Sequence, residues 1–78
     1  MNEIKIDQHL ELRGVACPNN FLRAKLKLEE MQNDQVLEII LDDGEPIKNV
    51  PRAIKDEGHK ILAAEKLDNY WKLIIKKQ

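Results

Sequence analysis

The sequence predicts an α+β domain whose secondary structure follows the order β-α-β-α-β-β. A short alternation of polar and apolar residues comes first, and two segments with helical spacing of their apolar residues follow it. The chain then closes with two apolar strands that only three residues connect. Because 78 residues suffice for one hydrophobic core and not for two, we expect a single domain over residues 1–78.

The first strand and the first helix meet at a loop that contains the single cysteine. Residues 9–13 alternate polar and apolar, which indicates a short half-buried strand. Gly14 lets the chain bend, and Pro18 suits the first helical position, which makes Cys17 the predicted N-cap. The helix should end at residues 32–34. Its apolar stripe consists of Phe21, Ala24, Leu28 and Met31.

The second strand and the second helix follow the same scheme. The apolar run 36–41 indicates a strand covered on at least one face. Pro51 fits a helix only in its first turn, so the second helix should begin near Lys48 or Asn49, with Asn49 as a cap. Gly58 is the expected stop residue.

The last two strands, residues 60–66 and 70–76, should form a hairpin through residues 67–69. The first three strands are expected to run parallel, because right-handed crossovers through helices connect them. The predicted core consists of Leu10, Leu12, Phe21, Ala24, Leu28, Met31, Leu37, Ile39, Val50, Ile54, Ile61, Leu73 and Ile75.

Composition argues against several classes of function. Thirteen basic and fourteen acidic residues give a net charge of −1, which argues against general nucleic-acid binding. Neither a signal peptide nor an apolar run of about 18 residues is present, so we expect no membrane association. A single cysteine allows no internal disulfide and favours the cytoplasm. His9 and His59 lack zinc-ligand spacing with the cysteine, so we expect no metal and no cofactor.

Cys17 is the candidate reactive residue. A helix amino terminus offers unpaired N–H groups and a partial positive charge, and both favour a thiolate over a thiol. Arg13 and Arg23 are near in sequence and could add to this field. The alternative is that Cys17 is a small buried apolar side chain, which is the commoner role of a free cysteine.

The segment Leu-Glu-Leu-Arg-Gly-Val-Ala-Cys-Pro, residues 10–18, resembles the signature of the TusA/SirA/YedF family of sulfur carriers. The similarity continues from there to the terminal hairpin and includes Asp42-Asp43, Asn49-Val50-Pro51 and Gly58-His59. It implies a two-layer α/β sandwich like the carboxy-terminal domain of translation initiation factor three. Two helices would cover one face of a four-stranded mixed sheet in the order 1-2-4-3, with only the fourth strand antiparallel.

The same resemblance implies a sulfurtransferase-like persulfide relay in the cytoplasm. Cys17 would accept sulfane sulfur, Pro18 would begin the helix beside the thiol, and Arg13 is a possible stabiliser of the thiolate. The donor would be a cysteine desulfurase or rhodanese-type protein, and the acceptor would be another protein. We expect a monomer or a weak dimer. Whether the relay counts as enzymatic is left open.

Family members commonly read Cys-Pro-x-Pro, whereas this chain has Asn20 in place of the second proline. Leu22 and Leu26 project away from the apolar stripe and could form a second strip beside the cysteine or pack under a loop. The predicted partner surface consists of Asn19, Asn20, Leu22, Arg23 and Leu26. The alternative function is a noncatalytic regulatory module that docks through the first helix. RNA binding is a third possibility, which the balanced charge disfavours.

Overall fold

The structure is a computed structural model that describes residues 5–16 and 18–78. The predictions made for Cys17 therefore concern a residue outside the described part of the chain. The elements follow the predicted order β-α-β-α-β-β. They are β1 (Gln8–Glu11), α1 (Asn19–Glu30), β2 (Val36–Asp42), α2 (Glu45–Asp56), β3 (Lys60–Lys66) and β4 (Tyr70–Lys76).

The four strands form one mixed sheet in the order β1-β2-β4-β3. β1 pairs in parallel with β2, and β4 is antiparallel to both β2 and β3. This arrangement confirms the predicted fold and strand order. Because β1 and β2 run in the same direction, their carboxyl ends lie at the same edge of the sheet, and both helices begin there.

The core lies between one face of the sheet and the two helices. Strand residues of alternating position supply one side of it, and α1 and α2 supply the other. Of the predicted core, Leu10, Phe21 and Ile61 are partly buried at its margin, and the remaining residues are buried in the cluster. Leu41 also belongs to the cluster, because it continues the inward row of β2 beyond Leu37 and Ile39.

α2 begins earlier than predicted. It starts at Glu45 with Pro46 in its first turn, so Pro51 lies inside the helix and Asn49 is an interior residue instead of a cap. The prediction was wrong because it rested only on the rule that a helix tolerates proline in its first turn. A proline inside a helix removes the hydrogen bond to the carbonyl four residues earlier. Burial of Val50 and Ile54 in the core holds the helix together across this gap.

The carboxyl end of α2 forms a Schellman motif. Gly58 has a φ of 95° and donates its N–H to the carbonyl of Lys55 at 2.9 Å. The N–H of His59 donates to the carbonyl of Ile54 at 3.3 Å, which completes the pattern. The prediction of Gly58 as stop residue is confirmed.

The ends of α1 differ slightly from prediction. Its N-cap is Pro18 instead of Cys17, because a ψ of 7° at Pro18 departs from regular helix values. The helix ends at Glu30, and the buried Met31 is its C-cap. The ammonium group of Lys77 donates to the carbonyl of Leu28, so a cation satisfies one of the last carbonyls of α1. Among the described residues, neither helix has the length and apolar character that crossing a membrane requires.

Asp43, in the turn between β2 and α2, contacts both β4 and β3. The indole Nε1–H of Trp71 donates to Asp43 Oδ1 at 2.8 Å, and the ammonium of Lys66 lies 3.4 Å from Oδ2. The hydrogen bond from Trp71 is the main cause that lowers the pKa of Asp43, followed by one from the backbone of Gly44. The ionised carboxylate is therefore the form that the folded protein favours.

Truncation of Leu28 to alanine should lower the free energy of unfolding by about 2–5 kcal/mol, because Leu28 is fully buried against the sheet. Urea denaturation measures the change. Leu26→Ala in the same helix is the matched control, since Leu26 is half exposed, and its effect should stay within about 0.5 kcal/mol. Equal losses for the two variants would show that the inward face of α1 has been assigned incorrectly.

Acidification should change the fluorescence of Trp71, the only tryptophan, with a midpoint below 3.8, the ordinary pKa of an aspartate. A carboxyl group with a depressed pKa stabilises the fold above its unfolded pKa, and this contribution is lost as the pH falls through the folded value. Asp43→Asn keeps an acceptor oxygen but cannot ionise, so its fluorescence should show no such transition. A wild-type midpoint at or above 3.8 would contradict the assigned contact.

Candidate functional site

The loop from β1 to α1 leaves the sheet in a defined turn. The N–H of Leu12 still donates to the carbonyl of Ile40 at 2.9 Å, so the chain follows β2 for one residue past the end of β1. Val15 N–H then donates to the carbonyl of Leu12 at 3.2 Å. Gly14 has a φ of 81°, a conformation that glycine adopts at little cost. The turn directs the chain towards the position of Cys17.

A side chain from β2 holds this turn in place. Asp42, the last residue of β2, accepts the N–H of Gly14 on its Oδ2 at 2.7 Å. The bond is charge-assisted, and such bonds are stronger than those between neutral groups. The segment that precedes Cys17 is therefore anchored to the neighbouring strand.

Arg13 lies in a cluster with Glu11 and Tyr70. Its Nε and Nη2 atoms donate to the Glu11 carboxylate at 3.0 and 2.9 Å, and its Cζ lies 4.5 Å from the centre of the Tyr70 ring. The hydrogen bond between the two side chains lowers the pKa of Glu11 and raises the pKa of Arg13. Since Leu12 points into the core, the alternation along the strand places this cluster on the opposite side of the sheet. A role of Arg13 towards the thiolate stays a prediction.

The amino terminus of α1 is electrostatically open to an anion. Its first turn contains no acidic residue, and no side chain caps it through Pro18. The N–H of Asn20 donates to the carbonyl of Ala16 at 3.1 Å, and that of Leu22 donates to the carbonyl of Pro18 at 2.9 Å. The first of these bonds spans the sequence position of Cys17. The partial positive charge at this helix terminus is thus not offset by a carboxylate of the first turn itself.

The predicted partner surface is exposed except at one residue. Leu22 and Leu26 are 48% and 50% exposed, as their helical phase predicts, and Asn19 and Arg23 are exposed beside them. Asn20 is completely buried, so its inclusion in this surface was wrong. The reason is the phase of the helix, because Asn20 lies on the side that also carries Ala24.

A shallow groove adjoins the loop, and sequence reasoning did not find it. It has a volume of about 420 Å³ and is wide open to solvent. The lining residues are Gly14, Val15, Ala16, Asp42, Glu45 and Pro46. The parallel order of the first two strands was the signal that could have revealed it, since both loops then start from the same edge.

The two histidines lie apart, His9 on β1 and His59 directly before β3. His9 Nδ1 on β1 is 2.7 Å from Glu38 Oε1 on β2. His59 Nδ1 accepts the N–H of Gln78 beside β3. Burial is the main cause that lowers the pKa of His59. Within residues 5–16 and 18–78, no three side chains of metal-binding type converge.

Comparisons with known proteins identify relatives along nearly the whole chain. A protein of Archaeoglobus fulgidus whose name includes the words sulfur carrier protein is 39% identical over 77 residues, which are 97% of this chain and 88% of the relative. The sulfur carrier protein TusA of Allochromatium vinosum is 32% identical over 71 residues, covering 91% of this chain and 93% of the relative.

A crystal structure of a SirA-like protein from Desulfitobacterium hafniense has the same fold, with a TM-score of 0.76. Its sequence is 21% identical, and the match covers 88% of this chain and 95% of that one. The model of the family described as sulfurtransferase TusA matches residues 8–77. Since this match extends from β1 to the end of the sheet, the chain belongs to the TusA sulfurtransferase family.

Proposed function

We propose that this protein is a sulfur carrier that accepts sulfane sulfur on Cys17 as a persulfide and passes it to a partner protein. The observation that carries the proposal is the TusA family match over residues 8–77, which includes the Arg-Gly-x-x-Cys-Pro element. Support comes from the place of that element in the fold, since Pro18 caps a helix whose first turn has no acidic residue.

The chemistry of the relay consists of two thiol exchange reactions. The Cys17 thiolate attacks the terminal sulfur of a donor persulfide, the donor's sulfur–sulfur bond breaks, and the donor cysteine leaves as a thiolate. A thiolate of the acceptor then attacks the terminal sulfur on Cys17, which leaves as a thiolate in turn. Each step transfers one sulfur atom and consumes no external oxidant or reductant.

The helix amino terminus supplies the electrostatic part of the mechanism. The partial positive charge at the amino end of the helix dipole would stabilise a thiolate and a persulfide anion in the same way. The N–H groups of Asn20 and Phe21 are already paired, with the carbonyl of Ala16 and with Asn20 Oδ1, so the dipole carries this effect. We expect the pKa of Cys17 to lie below that of a free thiol, first because of α1 and second because of nearby cations. Of these, Arg23 is exposed in the second turn of α1, whereas the charge of Arg13 is held by Glu11.

Partner proteins complete the site. The groove beside the loop is shallow, so the protein has no enclosed pocket there in which a small substrate could react. Leu22 and Leu26 form an exposed apolar strip on the outer side of α1, where a donor or acceptor protein can dock. Both partners would have to use one small surface in succession. The thiol chemistry suits a reducing compartment, and we place this single domain of residues 1–78 in the cytoplasm.

Incubation with a persulfide-loaded cysteine desulfurase should add one sulfur atom to the protein. The attack requires the Cys17 thiolate, so intact mass measurement should show the gain and reductant should reverse it. Peptide mapping should place the added atom on Cys17, and Cys17→Ser should gain nothing. A rapidly alkylated Cys17 that never acquires sulfur would instead support a noncatalytic docking module.

Changing Leu22 or Leu26 to glutamate should slow sulfur transfer from the desulfurase severalfold while leaving the fold intact. Surface substitutions usually change stability by less than about 0.5 kcal/mol, whereas a charge in an apolar contact weakens docking. Transfer is followed by mass measurement, and folding by circular dichroism.

Ile6→Glu is the matched control for these variants. Ile6 is also an exposed apolar residue, but it precedes the amino end of β1 and so lies towards the opposite edge of the sheet. Its transfer rate should equal that of the wild type. Alkylation of Cys17 by iodoacetamide should be unchanged in Leu26→Glu and Ile6→Glu. Leu22→Glu adds a carboxylate near the amino terminus of α1 and should slow alkylation as well, so Leu26→Glu is the variant that isolates docking. Normal transfer by both leucine variants would place docking elsewhere.

A further inference from the structure

The groove beside the loop from β1 to α1 combines an apolar lining with two carboxylates. Its volume is about 420 Å³, and two of its lining residues are acidic, Asp42 at the end of β2 and Glu45 at the start of α2. The other four have no polar side chain and are Gly14, Val15, Ala16 and Pro46. None of the six is a lysine or an arginine, so the groove is an apolar surface that carries negative charge.

Both carboxylates of the groove keep acceptor atoms free. Asp42 Oδ2 accepts the N–H of Gly14 at 2.7 Å, and its Oδ1 has no hydrogen-bond partner among the described residues. Glu45 is exposed, and neither it nor Asp42 belongs to an ion pair in the described part of the chain. By contrast, the carboxylate of Asp43 pairs with Lys66. The groove thus holds negative charge that the described residues do not neutralise.

The chemistry of the groove fits a lysine or arginine side chain. Such a side chain covers apolar surface with its stem while its charged end stays at a polar rim. The apolar lining can contact the stem, and Asp42 and Glu45 can accept charge-assisted hydrogen bonds from the end. An acidic segment would meet like charges. A small molecule fits less well, because its sites usually enclose most of the ligand and this groove is wide open to solvent.

The place of the groove in the chain indicates what brings that side chain to it. Ala16 lines the groove, and the next residue in the sequence is Cys17. A protein that reacts with Cys17 has to bring its own cysteine to this part of the chain. The residues that flank the partner's cysteine are therefore the ones that can reach the groove.

We propose that the groove binds a lysine or arginine that flanks the reacting cysteine of a partner protein. That this partner is a sulfur donor or acceptor rests on the proposed function, whereas the preference for a cation beside its cysteine does not. The contact adds to docking on Leu22 and Leu26, which are exposed and apolar and do not discriminate between charges. The leucine strip supplies contact area, and the groove selects partners by the charge around their cysteine.

Thiol–disulfide exchange with short peptides tests this preference without any sulfane sulfur. Each peptide has one cysteine, activated as a mixed disulfide with thionitrobenzoate and flanked by lysine, glutamine or glutamate. The Cys17 thiolate attacks the peptide sulfur, and thionitrobenzoate leaves as a coloured thiolate. Each rate is divided by that of the same peptide with N-acetylcysteine. The lysine peptide should react about two- to fivefold faster than the glutamine peptide, as expected for exposed ion pairs, and the glutamate peptide should be slowest.

Glu45→Lys should abolish or reverse this preference, because it places a cation in the groove. Asp56→Lys is the matched control, since it changes the charge equally at the other end of α2, roughly 16 Å away along the helix axis. It should keep the wild-type preference. Asp42→Asn retains an oxygen for Gly14 and should weaken the preference. Equal rates for the three peptides, or equal effects of Glu45→Lys and Asp56→Lys, would overturn the proposal.

NMR spectra test the contact in the wild-type protein, so the proposal stays testable even if Glu45→Lys fails to fold. The protein is joined by a disulfide to the lysine peptide or to the glutamine peptide, and the two adducts are compared. The amide resonances of Gly14, Ala16 and Glu45 should differ between the adducts, whereas that of Asp56 should not. Groove resonances that are the same in both adducts would overturn the proposal.

These readouts separate the inference from the carrier function. If the protein prefers the lysine peptide but gains no sulfur from a persulfide donor, the carrier proposal fails and the groove contact stands. If the protein gains sulfur but reacts with the three peptides at equal rates, the carrier function stands and the role of the groove is wrong.

Discussion

The parallel pairing of β1 with β2 is the constraint on which the rest of the structure depends. The register aligns Glu11, the last residue of β1, with Ile40, and β2 continues two residues further to Asp42, so both strands end at the same edge of the sheet. Both helices must then begin at that edge. Asp42 can consequently reach Gly14 across the pair and hold the turn that leads to Cys17. The site is thus a product of strand register, although no strand residue reacts.

The sequence was most informative where burial is continuous. β2 and β4 are long apolar runs whose alternate side chains enter the core, and their bounds were predicted to within a residue. The start of α2 was predicted incorrectly. The proline rule considers only neighbouring residues, whereas the helix is stabilised by packing against distant parts of the chain. Val50 and Ile54 pack on the sheet and stabilise a helix in which Pro51 removes one hydrogen bond. The local sequence pattern shows the lost hydrogen bond but not the contacts with residues distant in sequence that compensate for it.

At the site, helical phase predicted single side chains but not their partners. The exposure of Leu22 and Leu26 follows from their angle to the apolar stripe. The cation–π contact of Arg13 with Tyr70 could not be predicted from helical phase, since these residues are 57 positions apart and come together only in the sheet. Asn20 was misplaced because polarity suggested exposure while its phase pointed inward. In a helix terminus, a polar side chain can be buried when the backbone provides a partner, as the N–H of Phe21 does here.

In the proposed relay, Cys17 would have to accept sulfur and also release it, and these two steps set opposing demands on its pKa. A lower thiol pKa increases the fraction of thiolate and makes Cys17 a better leaving group, but it also weakens each thiolate as a nucleophile. A thiol attacks fastest when its pKa lies near the ambient pH. In the proposed relay, the dipole of α1 would act on the sulfur from the backbone, so its contribution would change little with sequence.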